Sequence, residues 1–193
     1  MKSARRPPSR PSKRTERTER LRLADGRELW LRPVLPADAG PIAGAFELLG
    51  EEEVRRRYLH PVKALSQDYL QQLVAPMTGE GFAICAAEPL PPGEALVGAV
   101  ARLTRDPGRD SAEFAILVSH FVSGQGLGKL LMLRLFEWAR AHGIQRIWGD
   151  VLDENTAMIA LAQALGFERS ASPDDPGLVR VTLDLRPRTP RRR

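Results

Sequence analysis

The sequence predicts an α+β domain, and three observations carry that reading. An apolar, β-branched run from Phe114 to Val118 leads into a glycine-rich turn, Gly124-Gln125-Gly126-Leu127-Gly128, which opens onto a long helical pattern. A further strand and helix follow, so this half reads strand, glycine loop, helix, strand, helix. The half before it holds short apolar segments punctuated by Asp-Gly and Pro-Gly turns, the pattern of hairpin-connected strands.

Leu21 to Arg32 reads as a hairpin around Asp25-Gly26. Pro36-Ala37-Asp38 starts a helix running to about Leu49, and Glu51 to Tyr58 makes a second, short one. Ser66 caps a third helix that ends near Val74, with Pro76 just beyond it. Residues 81–88 and 95–104 are strands joined through Pro91-Pro92-Gly93, and Asp106-Pro107-Gly108 turns into the strand from Ser111. From Leu127 to His142 the apolar positions 127, 130, 131, 133, 135, 136, 138 and 139 form a wide helical stripe that Gly143 ends. Ile144 to Val151 is a strand. Asp153-Glu154-Asn155-Thr156 supplies the start of a helix that continues to Leu165 and is closed by Gly166. Leu178 to Leu185 alternates as a last strand, and no internal repeat is visible.

A chain of 193 residues fits one folded domain, expected over residues 20–185, with a core large enough to do without disulfides. Cys85 is the single cysteine, which suits a reducing cytoplasm, and its apolar neighbours make it a buried, inert thiol. There is no 18-residue apolar run and no secretory signal pattern, so no membrane is expected. The net charge of +5 divides unevenly. Residues 1–22 carry +7 and residues 186–193 carry +5, whereas residues 23–185 hold fifteen basic and twenty-two acidic groups, a net −7. The Arg- and Pro-rich segments 1–19 and 186–193 are expected to be disordered basic tails, solubilising in the first instance, with nucleic-acid contact a weaker alternative. The acidic body disfavours a nucleic-acid enzyme and suits the approach of a basic protein or an amine.

A strand that ends in glycines and opens a helix presents several backbone N–H groups at a positive helix end, which is a site for phosphate. The loop is not a nucleoside-triphosphate loop, because the Gly-x-x-x-x-Gly-Lys-Ser/Thr spacing is missing and Leu130 stands where a magnesium-binding hydroxyl belongs. It also lacks the third glycine of a dinucleotide fingerprint, with Leu131 at that position.

The loop with Gly126 and Gly128, together with Asn155 and the Gly166-Phe167 pair that ends its helix, resembles the acyl-CoA-binding core of the GNAT superfamily of N-acetyltransferases. The resemblance covers roughly residues 29–185. Upstream, Leu49 to Pro61 and Leu65 to Leu70 are similar to the helical insertion of the bacterial Pat-type protein-lysine acetyltransferases. This likeness implies a three-layer α/β/α fold with a mixed, mostly antiparallel central sheet. It implies acetyl-CoA as co-substrate, with no metal, and a protein lysine as acceptor. It implies that the backbone of Ile116, Leu117 and Val118 pairs with the pantetheine arm, with an oxyanion donor at Val118 N–H. Ser123, Gly124, Gln125, Gly126, Leu127, Gly128 and Lys129 would hold the pyrophosphate, and Asn155 would contact the arm besides capping its helix. Two departures stand out. Ser123 replaces the Arg or Gln of the loop signature, and Ala162 replaces a Tyr that protonates the departing thiolate in many members.

Acyl transfer to an amine needs a base, because an ammonium has no lone pair. The resemblance puts a catalytic glutamate on the strand entering the site, where this chain has Glu113. Alternation sets Glu113, Ala115 and Leu117 on one face, and an apolar setting should raise the carboxyl's pKa. The structural alternative is a surface Glu113 paired across to Arg102. His120 is the second candidate base. His60 reads as structural and His142 as a partner of its helix end. Trp138 and Trp148 read as core, and no spacing suits a metal. Two other functions stay open: transfer to a small amine such as a polyamine or aminoglycoside, and an acyl-CoA sensor without turnover.

Overall fold

The structure, a computed structural model, describes residues 17–75, 80–173 and 175–186. Of the expected tails 1–19 and 186–193, residues 1–16 and 187–193 fall outside these residues, as does Pro76; Glu19, expected in the first tail, instead opens the first strand. Strands β1 (Glu19–Arg22) and β2 (Glu28–Pro33) form the first hairpin, and Gly26 takes the left-handed φ of +89° that its turn requires. Helices α1 (Ala39–Glu47), α2 (Glu51–Tyr58) and α3 (Gln67–Val74) follow. Then come β3 (Gly81–Ala87), β4 (Val97–Arg105), β5 (Ser111–Val118), α4 (Leu127–Ala141), β6 (Arg146–Leu152), α5 (Thr156–Ala164), β7 (Glu168–Ala171) and β8 (Leu178–Asp184).

One expected boundary shifts for a local reason. The helix expected from Pro36 begins as a 3-10 turn over Pro36–Asp38, and α1 starts only at Ala39. Asp38 is turned inward there, accepting from Leu35 N–H at 2.8 Å and from both Arg32 guanidinium nitrogens at 2.7 and 2.8 Å. Burial alone would raise the Asp38 carboxyl, but these bonds outweigh it and hold its pKa below the ordinary value. The other helix ends follow the expected signals. Ser66 Oγ accepts from Tyr69 N–H at 3.2 Å, Asn155 Oδ1 from Met158 N–H at 3.2 Å, and Gly143 and Gly166 are both left-handed.

The eight strands form one sheet in the order β1-β2-β3-β4-β5-β6-β8-β7. Every neighbouring pair is antiparallel except β5 and β6. On one face α4 and α5 bury Leu131, Leu135, Trp138, Ile159 and Ala162 against Phe82, Leu103, Phe114 and Ile147. On the other, α1 and α3 bury Ile42, Leu70 and Leu73 against Ala83, Cys85 and Val97. Together these make the three layers. Cys85 is wholly buried in β3, and burial pushes its thiol up to about 12, which leaves it an unreactive thiol at neutral pH. No helix among the described residues is long and apolar enough to cross a membrane.

The parallel junction shapes the site. β5 and β6 pair only at Ser111, Ala112 and Glu113 against Arg146, Ile147 and Trp148. Beyond that point β5 stays with β4 as far as Val118, and β6 stays with β8 as far as Leu152, so the sheet opens into a fork. Phe114 wedges the fork from the helical side. Its ring lies so close to Gly149 that a Cβ there would meet Phe114 Cε1 at 2.7 Å, which is why β6 carries glycine at this position.

Candidate active site

The fork holds a cavity of about 390 Å³. β5 lines it with Glu113 to Val118, the loop with Ser123, Gly124 and Gly126, and α4 with Leu127 and Gly128. β6 adds Asp150 and Val151, the α5 region adds Asn155, Ala157, Met158 and Leu161, and α2 adds Glu53, Arg56, Arg57 and, at its end, Leu59. Leu59 is left-handed, φ +64°, as the C-cap of α2. Two polar ties hold α2 beside the fork. Glu53 takes hydrogen bonds from the backbone N–H and Nδ1 of His120, both at 2.8 Å, and Arg55 pairs with Glu154 ahead of α5.

The glycines answer to two different demands. Gly124 and Gly126 have φ of +72° and +76°, and a Cβ on either would meet nothing within 4 Å, so backbone conformation calls for glycine there and leaves open space above the loop. Gly128 is helical, and its Cβ would press on Leu161 Cδ2 at 3.2 Å, so close packing on α5 calls for it. The first helical bond runs from Leu130 N–H to Gly126 O at 3.2 Å. The N–H groups of Leu127, Gly128 and Lys129 ahead of it therefore have no acceptor within the helix.

The open edge of β5 offers further donors. Ser119 N–H bonds to Gly98 O at 3.0 Å on the β4 side. In an antiparallel ladder successive residues alternate, so Val118 and Ile116 turn their N–H and C=O groups to the opposite edge, into the fork. Asn155 is largely buried, and its side-chain amide nitrogen has no hydrogen-bond partner among the described residues while Oδ1 caps α5.

Glu113 stands at the last paired position of the fork, opposite Trp148. No hydrogen bond or salt bridge holds its carboxylate among the described residues. Burial raises its pKa above the usual carboxylate value; the charges of Asp150 and Asp106 push the same way, and Arg57 and Arg180 oppose them. The alternative pairing with Arg102 is not formed. Glu113 faces Thr104, and Arg102 faces Ala115, because the turn at 106–110 sets that register.

Of the residues singled out in the sequence, Glu113, Ile116, Leu117, Val118, Ser123, Gly124, Gly126, Leu127, Gly128 and Asn155 come together on this cavity. Gln125 and Lys129 do not line it. The Gln125 side chain turns back to accept from Ala24 N–H at 3.0 Å, pinning the loop to the β1–β2 turn. His120 is occupied by Glu53 and stays off the cavity wall. His60 donates to Pro61 O at 3.1 Å and His142 to Trp138 O at 2.8 Å, both structural contacts. Ala162 is fully buried in the core and does not reach the cavity. Trp138 is core as expected, but Trp148 lies on the opposite face of the sheet, half-buried, donating to Asp106 at 2.9 Å beneath the guanidinium of Arg180. Asp150, Met158 and Leu161 were singled out by no sequence signal and are brought in by the fold alone. Glu53 and Arg57, four apart on α2, are the exception that helical spacing could have linked. No group of three or more metal-ligating side chains occurs among the described residues.

Comparison with known proteins gives one consistent picture. The family model described as "Acetyltransferase (GNAT) domain" matches residues 28–168. An acetyltransferase of Pseudomonas aeruginosa is 28% identical over 153 residues, 79% of this chain and 82% of that protein. The acetyltransferase Pat of Mycolicibacterium smegmatis is 32% identical over 180 residues, 86% of this chain, so the chain spans about half, 49%, of that relative's length. Among solved structures, the GNAT domain of S. lividans PAT superposes with a TM-score of 0.75 at 24% identity, covering 86% of this chain and 96% of that one. A cAMP-binding acyltransferase from Mycobacterium smegmatis gives 0.60 at 25% identity, covering 91% of this chain and 49% of its own.

Proposed function

Since the chain belongs to the GNAT acetyltransferase family, we propose that this N-acetyltransferase uses acetyl-CoA, that its acceptor is a protein lysine side chain, and that Glu113 is the general base. The observation that carries this reading is the fork itself. An unpartnered carboxylate of raised pKa, an open strand edge and a glycine loop with free N–H groups share one cavity.

The residues fit the co-substrate. The open space above Gly124 and Gly126, and the free N–H groups at the start of α4, suit a pyrophosphate. The fork edge at Ile116 and Val118 suits the amide groups of a pantetheine arm, with the Asn155 amide nitrogen available beside it. When bound, acetyl-CoA supplies the activated acyl group as a thioester. Val118 N–H donates toward the carbonyl oxygen where negative charge develops. Glu113 takes a proton from the acceptor nitrogen, directly or through one water, so that the lone pair can attack. Its raised pKa brings its proton affinity closer to the working pH, which favours a general base. With Ser123 in place of the family's Arg or Gln, the loop holds phosphate by backbone alone. With alanine at position 162, the departing thiolate takes its proton from solvent. The acceptor assignment rests on the relatives named Pat and on the net −7 of residues 23–185, which attracts lysine-bearing proteins.

The co-substrate half of the reading is tested at the loop. Gly126→Val puts a β-branched side chain at a φ of +76° and into the phosphate space. Acetyl-CoA binding by calorimetry is expected to weaken at least tenfold, about 1.4 kcal/mol. Unchanged affinity would remove the pyrophosphate from this loop.

A further inference from the structure

A second carboxylate stands in the cavity with nothing yet asked of it. Asp150 lies on β6 two residues past Trp148, where β5 and β6 have parted, and strand alternation puts it on the same face as Trp148 and Glu113. Its side chain is only 11% exposed, and both oxygens are held by Arg180, at 3.0 Å from Nε and 2.6 Å from Nη2. Arg180 is itself fixed, its guanidinium 4.3 Å from the centroid of the Trp148 ring. Trp148 is fixed in turn, through Nε1 to Asp106 Oδ2 at 2.9 Å, and Ser111 donates to the same Asp106 oxygen. This is a chain of supports running from the β4–β5 turn to β8, and its end is a carboxylate beside the base. A carboxylate has about four lone-pair sites, of which Arg180 takes two, so Asp150 can still accept from a ligand in the cavity.

We propose that Asp150 is the acceptor-binding carboxylate of the site, receiving the incoming amine as its ammonium next to Glu113, with Arg180 as the positioning residue that orients it. The inference rests on the reading of Glu113 as the base. The acceptor class it specifies is a primary amine that arrives protonated. Asp150 holds the cation, the N–H bond breaks toward Glu113, and the proton ends on the Glu113 carboxylate. Asp150, oriented by Arg180, takes no part in the proton transfer. A single carboxylate would have to hold the ammonium and deprotonate it; two divide the tasks.

The charged groups that face Glu113 are Asp150 on β6, Arg180 on β8, Arg57 on α2, Arg102 on β4 and Asp106 in the turn, and Glu53 and Arg56 line the same cavity. Among them Asp150 is the strongest raising charge, and Arg180 acts in the opposite sense. Neutralising each should therefore move the titration of Glu113 in opposite directions, and the acceptor KM separates amine binding from a merely structural network.

The experiment measures kcat and KM for an amine acceptor across pH, with a lysine peptide as probe, and acetyl-CoA affinity alongside. Asp150→Asn is expected to raise the acceptor KM about tenfold and to move the rising limb of kcat/KM to lower pH by about one unit, with acetyl-CoA affinity unchanged. Arg180→Gln is expected to move that limb to higher pH. Asp150→Glu should restore much of the acceptor KM. An unchanged KM and an unmoved limb in Asp150→Asn would overturn the proposal, as would a loss of acetyl-CoA binding equal to the loss of turnover. If Asp150→Asn fails to fold, Arg180→Gln decides: it is expected to raise the acceptor KM by freeing Asp150, and an unchanged acceptor KM overturns the proposal. Failure of the base reading looks different, because the limb would then persist in Glu113→Gln whatever Asp150 does.

Discussion

Glu113→Gln is expected to lower the rate of acyl transfer roughly 10²–10⁴-fold, the usual worth of a general base. The amide keeps the side chain's shape and removes its capacity to take a proton. Acetyl-CoA affinity should stay within a factor of about two, because the loop and the open strand edge, not Glu113, hold the co-substrate in this reading. The pH profile carries independent information. Glu113's pKa is raised by burial and by Asp150, so the carboxylate form that acts as base is present only above that raised value. The wild-type rate should therefore rise with pH through it, and the variant should lose that limb while keeping the rise due to the amine. Near-wild-type turnover of Glu113→Gln at neutral pH would mean that water or another group serves. A variant that failed to fold would point to a structural role, although no ion pair or hydrogen bond of Glu113 gives a reason to expect one.

The second large effect concerns stability. Arg32 is 3% exposed and Asp38 fully buried, and their paired bonds fasten the β2 end to the start of α1. Asp38→Ala strands a buried guanidinium and leaves Leu35 N–H without its acceptor. The expected cost is about 3–5 kcal/mol in urea denaturation, whereas replacing both partners with apolar residues should recover much of it. Asp38 titrates below its unfolded value, so its contribution is complete above that unfolded value and disappears as pH falls through the lower, folded one. The difference between wild type and Asp38→Ala should accordingly shrink in acid. A loss under about 1 kcal/mol at neutral pH would show that the pair is not what fixes this corner.

What was legible in the sequence is what is local. Ser66, Asn155, Gly143 and Gly166 each act within one helical turn, and the structure puts all four at helix ends. The glycine loop was readable because positive φ leaves a chemical trace. β7 was not, since Glu168-Arg169-Ser170-Ala171 is exposed throughout and has no alternation; its strand character comes from pairing with β8. The register of β5 on β4 was not legible either: it sets Arg102 opposite Ala115 and Thr104 opposite Glu113, because the length of the 106–110 turn, and not either strand, decides it. Least legible was the fork. Nothing local says that β5 and β6 pair for three residues and then part, yet that parting is what brings Asp150, Met158 and Leu161 to the same cavity as Glu113. Trp148 shows the same limit, an aromatic in an apolar strand that serves as a platform for Arg180 and not as core.

The central claim is acetyl transfer from acetyl-CoA to a lysine amine in the β5–β6 fork. It is tested most directly by following thiol release from acetyl-CoA with and without a lysine-containing acceptor, beside a calorimetric titration of acetyl-CoA alone. Binding, together with thiol release that requires the acceptor and that Glu113→Gln abolishes, is the predicted result. Binding with no acceptor-dependent release from proteins, peptides or small amines would contradict it and make the chain an acyl-CoA sensor.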